Sequence, residues 1–272
     1  MNDFQPEGKP ATASVPPSRI GAFFDVDETL VRGASVFWAA REMFSQGFFG
    51  IREMQYAALQ TLRYVIFGED SDKIPEYGNR AAQLIQGNSV EHLQELAEGI
   101  FDRYFVPHMY QATYERLKAH REAGHQVWLI SATPWLIAEV FARRLGAAGG
   151  VGTRMQVDGG ILQGKLEGNL VHGPGKVKVV EEIASDNDLD LQASWAYSDS
   201  ANDIPLLSTV GHPVAVNPDR DLADYAATKG WEILQVHSKR DLLQHDLVKT
   251  AAILGTAAAV GAVLWKLARR TR

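Results

Sequence analysis

The sequence predicts an α/β protein in which a mainly parallel sheet carries an inserted helical subdomain and an apolar C-terminal helix. Short apolar runs recur along the chain with helical patterns between them, which is typical of a parallel sheet with helices on both faces. Residues 35–106 interrupt this alternation with helical patterns alone, and this predicts the insertion. Residues 251–265 contain no charged side chain, and this predicts the apolar helix.

The predicted strands are short apolar runs. The first covers residues 20–24 and ends at Asp25. The others are expected at residues 126–130, 195–197, 213–216 and 231–236. The Asp158-Gly159-Gly160 sequence adds a predicted β-hairpin within residues 153–171.

Two helices of the core are predicted at residues 107–123 and 134–145, because each pattern is followed by a glycine that is typical of a helix end. The insertion has three predicted helices, at residues 35–44, 51–67 and 89–105. Residues 37–67 contain eight of the 25 aromatic residues, which fits either the packed core of a small bundle or an apolar surface that meets a ligand or a bilayer.

The two ends of the chain differ from its middle. Residues 1–18 hold four of the eleven prolines and are predicted to be a disordered tail without the apolar stretch of a secretion signal, so we expect a cytoplasmic folded domain. Residues 247–268 form a candidate membrane helix of about 33 Å, and its flanking Lys249 and Lys266 could reach the interfaces. A C-terminal core helix is the alternative, and the orientation of a membrane helix stays open.

The composition excludes several classes of function. The net charge of −6 is unlike the basic footprint of nucleic-acid-binding proteins, so no nucleic-acid partner is expected. The chain has no cysteine, which excludes disulfides, thiolate metal sites and cysteine nucleophiles.

The expected organisation is a tail at residues 1–18, a core at residues 19–34 and 107–237, a helical cap at residues 35–106 and a membrane helix at residues 247–268.

Candidate chemistry lies at the carboxyl ends of the predicted strands, where open α/β sheets bind their ligands. Asp25 and Asp27 directly follow the first strand, in the sequence Asp25-Val26-Asp27-Glu28-Thr29. Because they are two residues apart, both carboxylates can point to one place, where they repel unless a cation or a proton lies between them. A structural turn rich in Asp and Thr is the alternative interpretation.

Three further groups of residues follow along the chain: the first two are suited to bind an anion, and the last is suited to bind a cation. Ser131 and Ala132 lie between a predicted strand and a predicted helix, where a hydroxyl and free N–H groups can bind phosphate, although Ser131 alone also fits a helix cap. Lys176 is at a predicted helix start, where its ammonium suits phosphate; a solvated surface lysine is the alternative. Asp199 and Asp203 follow the strand at residues 195–197 and could hold Mg²⁺.

The order of these four groups, DVDETL, LISATP, GK and SDSANDIPLL, resembles the four motifs of the haloacid dehalogenase superfamily of phosphohydrolases. The helical insertion after the first motif and the stretch AGHQVWLISATP are similar to subfamily IB, which includes phosphoserine phosphatase. The resemblance covers roughly residues 19–237 and implies a Rossmann-like core with a helical cap that closes over the substrate.

The resemblance also implies roles for individual residues. Asp25 matches the nucleophile that forms an aspartyl-phosphate, and Asp27 matches the general acid and base. Asp203 would lie beside the metal ligands or orient Lys176, and Thr29 would stabilise the turn. The implied Mg²⁺ ligands are the Asp25 carboxylate, the carbonyl of Asp27 and Asp199. The implied phosphoryl contacts are Ser131, the N–H of Ala132, Lys176 and, as a weaker candidate, Asn202.

The expected function is a Mg²⁺-dependent phosphomonoester hydrolase that acts on a small-molecule or lipid phosphate ester. A phosphotransferase with the same intermediate and a catalytically silent, membrane-tethered binding protein are the alternatives. Phosphoserine phosphatases carry a glutamate nine residues after the nucleophile, where this chain has Ala34, and this argues against phosphoserine as the substrate. Ser198 stands where the family usually has a glycine.

Overall fold

The computed structural model describes residues 15–33, 35–47, 78–79 and 82–236. The strands in this part of the chain are β1 (Gly21–Asp25), β2 (Gln126–Pro134), β3 (Gly149–Thr153), β4 (Met155–Asp158), β5 (Ile161–Leu166), β6 (Trp195–Ser198), β7 (His212–Val216) and β8 (Glu232–Leu234). Six of them form one parallel sheet in the order β3-β2-β1-β6-β7-β8, and β4 pairs with β5 as an antiparallel hairpin. The predicted parallel sheet and hairpin are therefore confirmed.

The helices with both ends in the described residues are α1 (Ser35–Ser45), α2 (Val90–Ile100), α3 (Val106–His108), α4 (Gln111–Glu122), α5 (Trp135–Leu145), α6 (Pro174–Asp186), α7 (Ile204–Leu207) and α8 (Arg220–Lys229). A π-helical turn, Phe101–Phe105, joins α2 to α3. The predicted helix at residues 107–123 is interrupted, because Met109 is extended and pairs with Val31. Gly124 and Gly146 have positive φ after α4 and α5, as expected of residues that end helices.

The side chains of β1 alternate between the two faces of the sheet, and both faces are buried. Phe24 belongs to one apolar cluster, where its ring stacks on Tyr197 of β6 at 4.2 Å between centroids. Phe23 belongs to the cluster on the other face, with Ile130 and Ala196. The first strand is therefore the centre of the fold, and its carboxyl end is held rigidly from both sides.

The second strand is longer than the sequence predicts. β2 continues through Ser131 to Pro134, which pairs with Thr153 of β3 after a bulge. Pro134 has an extended backbone, so α5 begins at Trp135 rather than at the proline. The other predicted strands shift by a residue or two at their ends; the last is shortened to Glu232–Leu234.

The sequence does not predict β3, because three of its five residues are glycines and glycine is depleted from strands. The packing of α5 explains this composition. A Cβ atom added to Gly150 would lie 2.1 Å from the carbonyl oxygen of Ala138, and one added to Gly152 would lie 2.5 Å from that of Thr133. The strand is made of glycine because the backbone of α5 and its entry segment cross it at close range.

Helix α2 and the π-helical turn after it, which lie in the predicted insertion, pack against α5. The rings of Phe101 and Phe105 contact Phe141 of α5, with centroid separations of 5.5 and 4.6 Å. Glu98 of α2 forms ion pairs with Arg143 and Arg144 of α5. These contacts join α2 and α5 into one apolar cluster with the sheet.

Several predictions concern residues outside the described part of the chain. They are the helix at residues 51–67, most of the tail at residues 1–18 and the membrane helix at residues 247–268. Pro17–Arg19, at the end of the predicted tail, form a single 3-10 turn. Among the residues that the structure describes, no helix is both long and apolar enough to cross a membrane. The cap boundaries and the membrane helix stay predictions.

Candidate active site

The carboxyl ends of β1, β2 and β6 lie side by side. The three strands are parallel neighbours, with Phe24 opposite Tyr197 and Asp25 opposite Ile130. Asp25 ends β1, Asp199 follows β6 directly, and Ser131 lies one residue beyond the partner of Asp25. The fold therefore brings the first, second and fourth groups of the sequence analysis to one edge of the sheet.

Lys176 connects the third group to this edge. It lies in the first turn of α6, and its Nζ donates to Asp25 Oδ1 at 2.7 Å and to Asp203 Oδ2 at 2.6 Å. Burial lowers the pKa of Lys176, but the two carboxylates outweigh burial and raise its pKa above the usual value. Lys176 is only 4% exposed, so its interpretation as a solvated surface lysine is wrong.

Asp203 lies behind the lysine. It is 2% exposed, and its Oδ2 accepts hydrogen bonds from both Lys176 and the Ser198 hydroxyl, the latter at 2.7 Å. The serine that replaces the usual glycine therefore makes a contact that glycine cannot make. Of the two roles suggested for Asp203, the contacts favour the one that orients Lys176.

The site holds more negative than positive charge. Burial, with smaller increases from Asp203 and Asp27, outweighs the lowering effect of Lys176 and raises the pKa of Asp25 to about 7. Burial, together with the neighbouring Asp25 and Glu28, raises the pKa of Asp199 to about 8. Burial also raises the pKa of Asp27, against the hydrogen bonds from Ser35. Such carboxylates favour a bound cation or a retained proton.

The expected Mg²⁺ ligands fit that cation in charge and in donor type. The Asp25 and Asp199 carboxylates and the Asp27 carbonyl are hard oxygen donors, which Mg²⁺ prefers. Within the described ranges, no group of three acidic, histidine or cysteine side chains is placed to hold a metal. A site with two carboxylates suits Mg²⁺ nevertheless, because this ion usually keeps several waters and takes only one or two carboxylates.

Asp27 and Thr29 lie in the turn after β1. Asp27 Oδ1 accepts a hydrogen bond from the Ser35 N–H at 2.6 Å, at the start of α1. Thr29 is fully buried, and its Oγ1 donates a long hydrogen bond of 3.4 Å to Asp199 Oδ1. Thr29 therefore connects the turn to the fourth group, which is more than the local stabilisation expected from the sequence.

Ser131 and Ala132 lie in the extended end of β2. The Ser131 hydroxyl is buried, lies 2.9 Å from Thr133 Oγ1 and accepts from the Thr133 N–H at 3.2 Å. It does not cap α5, whose N-cap is Pro134, so the capping interpretation is wrong. Ala132 is exposed, and its carbonyl accepts from Thr153 Oγ1 at 2.9 Å. Their contacts to phosphate stay predictions.

Asn202 is exposed in a 3-10 turn, Ala201–Asp203, between Asp199 and α7. Its N–H donates to Ser200 Oγ at 3.3 Å. The structure thus puts Asn202 next to residues of the site, at the protein surface. Its contact to phosphate also stays a prediction.

Sequence reasoning misses three residues around the site. The Ser35 N–H holds Asp27, and Thr133 contacts Ser131. The Tyr110 hydroxyl donates to Glu28 Oε2 at 2.9 Å, across 82 residues of sequence. The Thr133 contact could have been found from the sequence, because residues two apart in an extended segment, such as Ser131 and Thr133, have their side chains on the same face. The Tyr110 contact depends on the tertiary fold, so no local pattern reveals it.

Comparisons with known proteins identify the family. The profile of the haloacid dehalogenase-like hydrolases matches residues 22–208. The phosphoserine phosphatase SerB1 of Mycobacterium tuberculosis is 38% identical over 250 residues, which cover 92% of this chain and 80% of that protein.

Two solved structures share the architecture. A Bordetella pertussis protein of unknown function has a TM-score of 0.71 at 26% identity, and the match covers 80% of this chain and 99% of that chain. A phospho-aspartyl intermediate analogue of phosphoserine phosphatase has a TM-score of 0.57 at 20% identity, with 84% and 98% covered, and this likeness concerns the fold. The chain therefore belongs to the haloacid dehalogenase-like hydrolases, and it is a phosphatase similar to the phosphoserine phosphatases of that family.

Proposed function

We propose that the chain hydrolyses phosphate monoesters through an aspartyl-phosphate on Asp25, with Asp27 as general acid and base and Mg²⁺ as cofactor. The observation that carries this proposal is the 2.7 Å contact between Lys176 Nζ and Asp25 Oδ1 at the carboxyl edge of the sheet. A buried cation beside a buried carboxylate, at a family's nucleophile position, suits attack on an anionic phosphate.

In the first step, an Asp25 carboxylate oxygen attacks phosphorus, and the P–O bond to the alcohol breaks. The Lys176 ammonium lowers the pKa of Asp25 against the effect of burial, which keeps a larger fraction of Asp25 ionised and nucleophilic. The same ammonium offsets the charge of the incoming phosphoryl group.

Asp27 donates its proton to the departing alcohol oxygen. Burial raises the pKa of Asp27, which favours the protonated acid that this step needs. The Ser35 N–H binds Oδ1 and leaves Oδ2 to carry the proton. In the second step, the Asp27 carboxylate removes a proton from water, the water oxygen attacks phosphorus, and the P–O bond to Asp25 breaks to release inorganic phosphate.

When bound, Mg²⁺ would supply positive charge that neutralises the phosphoryl oxygens and the surrounding carboxylates. We assign Asp25, the Asp27 carbonyl and Asp199 as its ligands, and Thr29 orients Asp199 through their hydrogen bond. We assign Ser131, the Ala132 N–H, Lys176 and Asn202 to the phosphoryl oxygens.

We propose a small-molecule or lipid phosphate ester as the substrate. The relative SerB1 is named a phosphoserine phosphatase. In this chain position 34, which lies outside the described residues, is alanine instead of the glutamate expected for binding an amino group. A panel that contains phosphoserine, other small alcohol phosphates and lipid phosphates distinguishes these classes.

The test is hydrolysis of p-nitrophenyl phosphate by the full chain, with Mg²⁺ and with EDTA. We expect EDTA to abolish turnover and Asp25→Asn to lower kcat at least about 10³-fold, as loss of a nucleophile does elsewhere. Asp186→Asn, which changes an exposed carboxylate at the end of α6, is the matched control and retains activity. Undiminished turnover by Asp25→Asn overturns the nucleophile assignment. Phosphoryl transfer to added glycerol, in place of phosphate release, identifies a phosphotransferase.

A further inference from the structure

The turn after β1 is attached to the segment that leads from α3 into α4. The Tyr110 N–H donates to the Leu30 carbonyl at 2.9 Å, and the Arg32 N–H donates to the His108 carbonyl at 2.9 Å. Between them, Val31 and Met109 form an antiparallel bridge. The backbone beyond Asp27 is therefore fixed by residues that lie about eighty positions later, as the Tyr110 contact shows.

The Tyr110 side chain adds a contact closer to the catalytic residues. Tyr110 is 5% exposed, and its hydroxyl donates to Glu28 Oε2 at 2.9 Å. Burial and the Glu28 carboxylate raise the pKa of Tyr110 and outweigh the neighbouring Arg32, which lowers it, so the phenol keeps its proton and remains a donor. The bond is a charge-assisted one, from a neutral phenol to a carboxylate.

Glu28 has an unusual backbone conformation. Its φ is 52°, in the left-handed region that residues with a side chain rarely adopt. Such a conformation persists only where the surroundings hold it. Glu28 directly follows Asp27, so its backbone angle sets the direction in which the chain leaves the general acid.

We propose that Tyr110 is a positioning residue for the phosphatase reaction. Its hydrogen bond to Glu28 holds the left-handed turn that keeps the Asp27 carboxyl directed at the departing alcohol oxygen. The inference rests on the proposed role of Asp27. The Ser35 N–H bond to Asp27 Oδ1 reports this geometry, because a shift of the turn would lengthen it.

The first measurement needs neither substrate nor metal. Hydrogen exchange of the Ser35 amide is compared between the full chain and its Tyr110→Phe, Glu28→Ala and Glu28→Gln variants. We expect Tyr110→Phe and Glu28→Ala to speed exchange about fivefold, the effect of losing one hydrogen bond. Glu28→Gln retains an oxygen that accepts from Tyr110 and therefore retains protection. Tyr225→Phe, in α8, is the matched control.

The second measurement separates positioning from stability. We expect Tyr110→Phe to lower kcat about tenfold with KM nearly unchanged, because the phosphate contacts are retained while the acid is displaced. Glu28→Gln retains most of kcat. Unchanged Ser35 exchange in Tyr110→Phe, or a raised KM with unchanged kcat, overturns the inference. If Asp25→Asn is as active as the unaltered chain, the proposed function fails, and the exchange measurement still decides whether Tyr110 holds the turn.

Discussion

His120 predicts an acid-sensitive contribution to the stability of the fold. It lies in α4 and is 8% exposed, with Nε2 2.8 Å from the Tyr197 hydroxyl and Nδ1 2.8 Å from Nδ1 of His125. Burial, with smaller contributions from His125 and Arg116, lowers the pKa of His120 from its usual 6.5 to about 4. The folded state therefore binds this proton less readily than the unfolded chain does.

The magnitude follows from that difference in pKa. A change from 6.5 to about 4 corresponds to about 3–4 kcal/mol, at about 1.4 kcal/mol for each pKa unit. Because the pKa of His120 is lower in the folded state than in the unfolded chain, His120 does not reduce the free energy of unfolding above pH 6.5. As the pH falls from 6.5 towards 4, the unfolded chain takes up the proton first, and the free energy of unfolding decreases by this amount.

The assay is urea denaturation of the full chain without metal between pH 7.5 and 4.5, compared with His120→Gln. The comparison is needed because the raised pKa values of Asp25 and Asp199 act in the opposite direction: these folded carboxyls take up protons first, which adds stability as the pH falls below about 8. We expect the unaltered chain to lose about 1.4 kcal/mol more per pH unit than the variant below pH 6. Gln192→Asn, at an exposed residue without a titratable group, should keep the original slope. Equal slopes for the unaltered chain and His120→Gln would refute the reasoning.

Two further substitutions test the site and the sheet. Lys176→Met leaves Asp25 and Asp203 without their cation, so we expect a loss of about 3–5 kcal/mol in denaturation at pH 7.5 and at least about a 10²-fold loss of kcat/KM. A stable and active Lys176→Met protein would contradict the charge argument. Gly150→Ala places a Cβ 2.1 Å from the Ala138 carbonyl oxygen and should lower the free energy of unfolding by about 1–3 kcal/mol or more. The control is Gly99→Ala, whose new Cβ meets the movable Arg103 side chain. We expect this substitution to be neutral or to stabilise the fold by up to about 1 kcal/mol. Equal effects of Gly150→Ala and Gly99→Ala would contradict the packing argument.

The sequence predicts those parts of the fold that depend on local patterns. The apolar run before Asp25 becomes β1, and the glycines after α4 and α5 end those helices. The carboxyl-edge rule then explains why Asp25, Asp199 and Ser131 lie together, since strand ends converge in any parallel sheet. The contact between Lys176 and Asp203 was one of two arrangements that the resemblance implied for this acid.

The remaining features depend on tertiary contacts. β3 has the composition of a loop, and its glycines make sense only once α5 is packed across them. The burial of Lys176 and His120 has no local signature, because each lies on a helix whose partner strands come from elsewhere in the chain. The Tyr110 contact to Glu28 depends on how residues 108–110 meet the turn after β1.

The contacts between α2 and α5 limit how freely α2 can move. To swing α2 outward, the protein would have to separate Phe101 and Phe105 from Phe141 and break the Glu98 ion pairs. Each aromatic pair alone contributes about 0.5–1.5 kcal/mol beyond the effect of its buried area. Leu93 of α2, which is fully buried, would also be exposed to water. We expect α2 and α5 to stay together, so that any movement of the predicted cap at residues 35–106 would leave this part of it on the core.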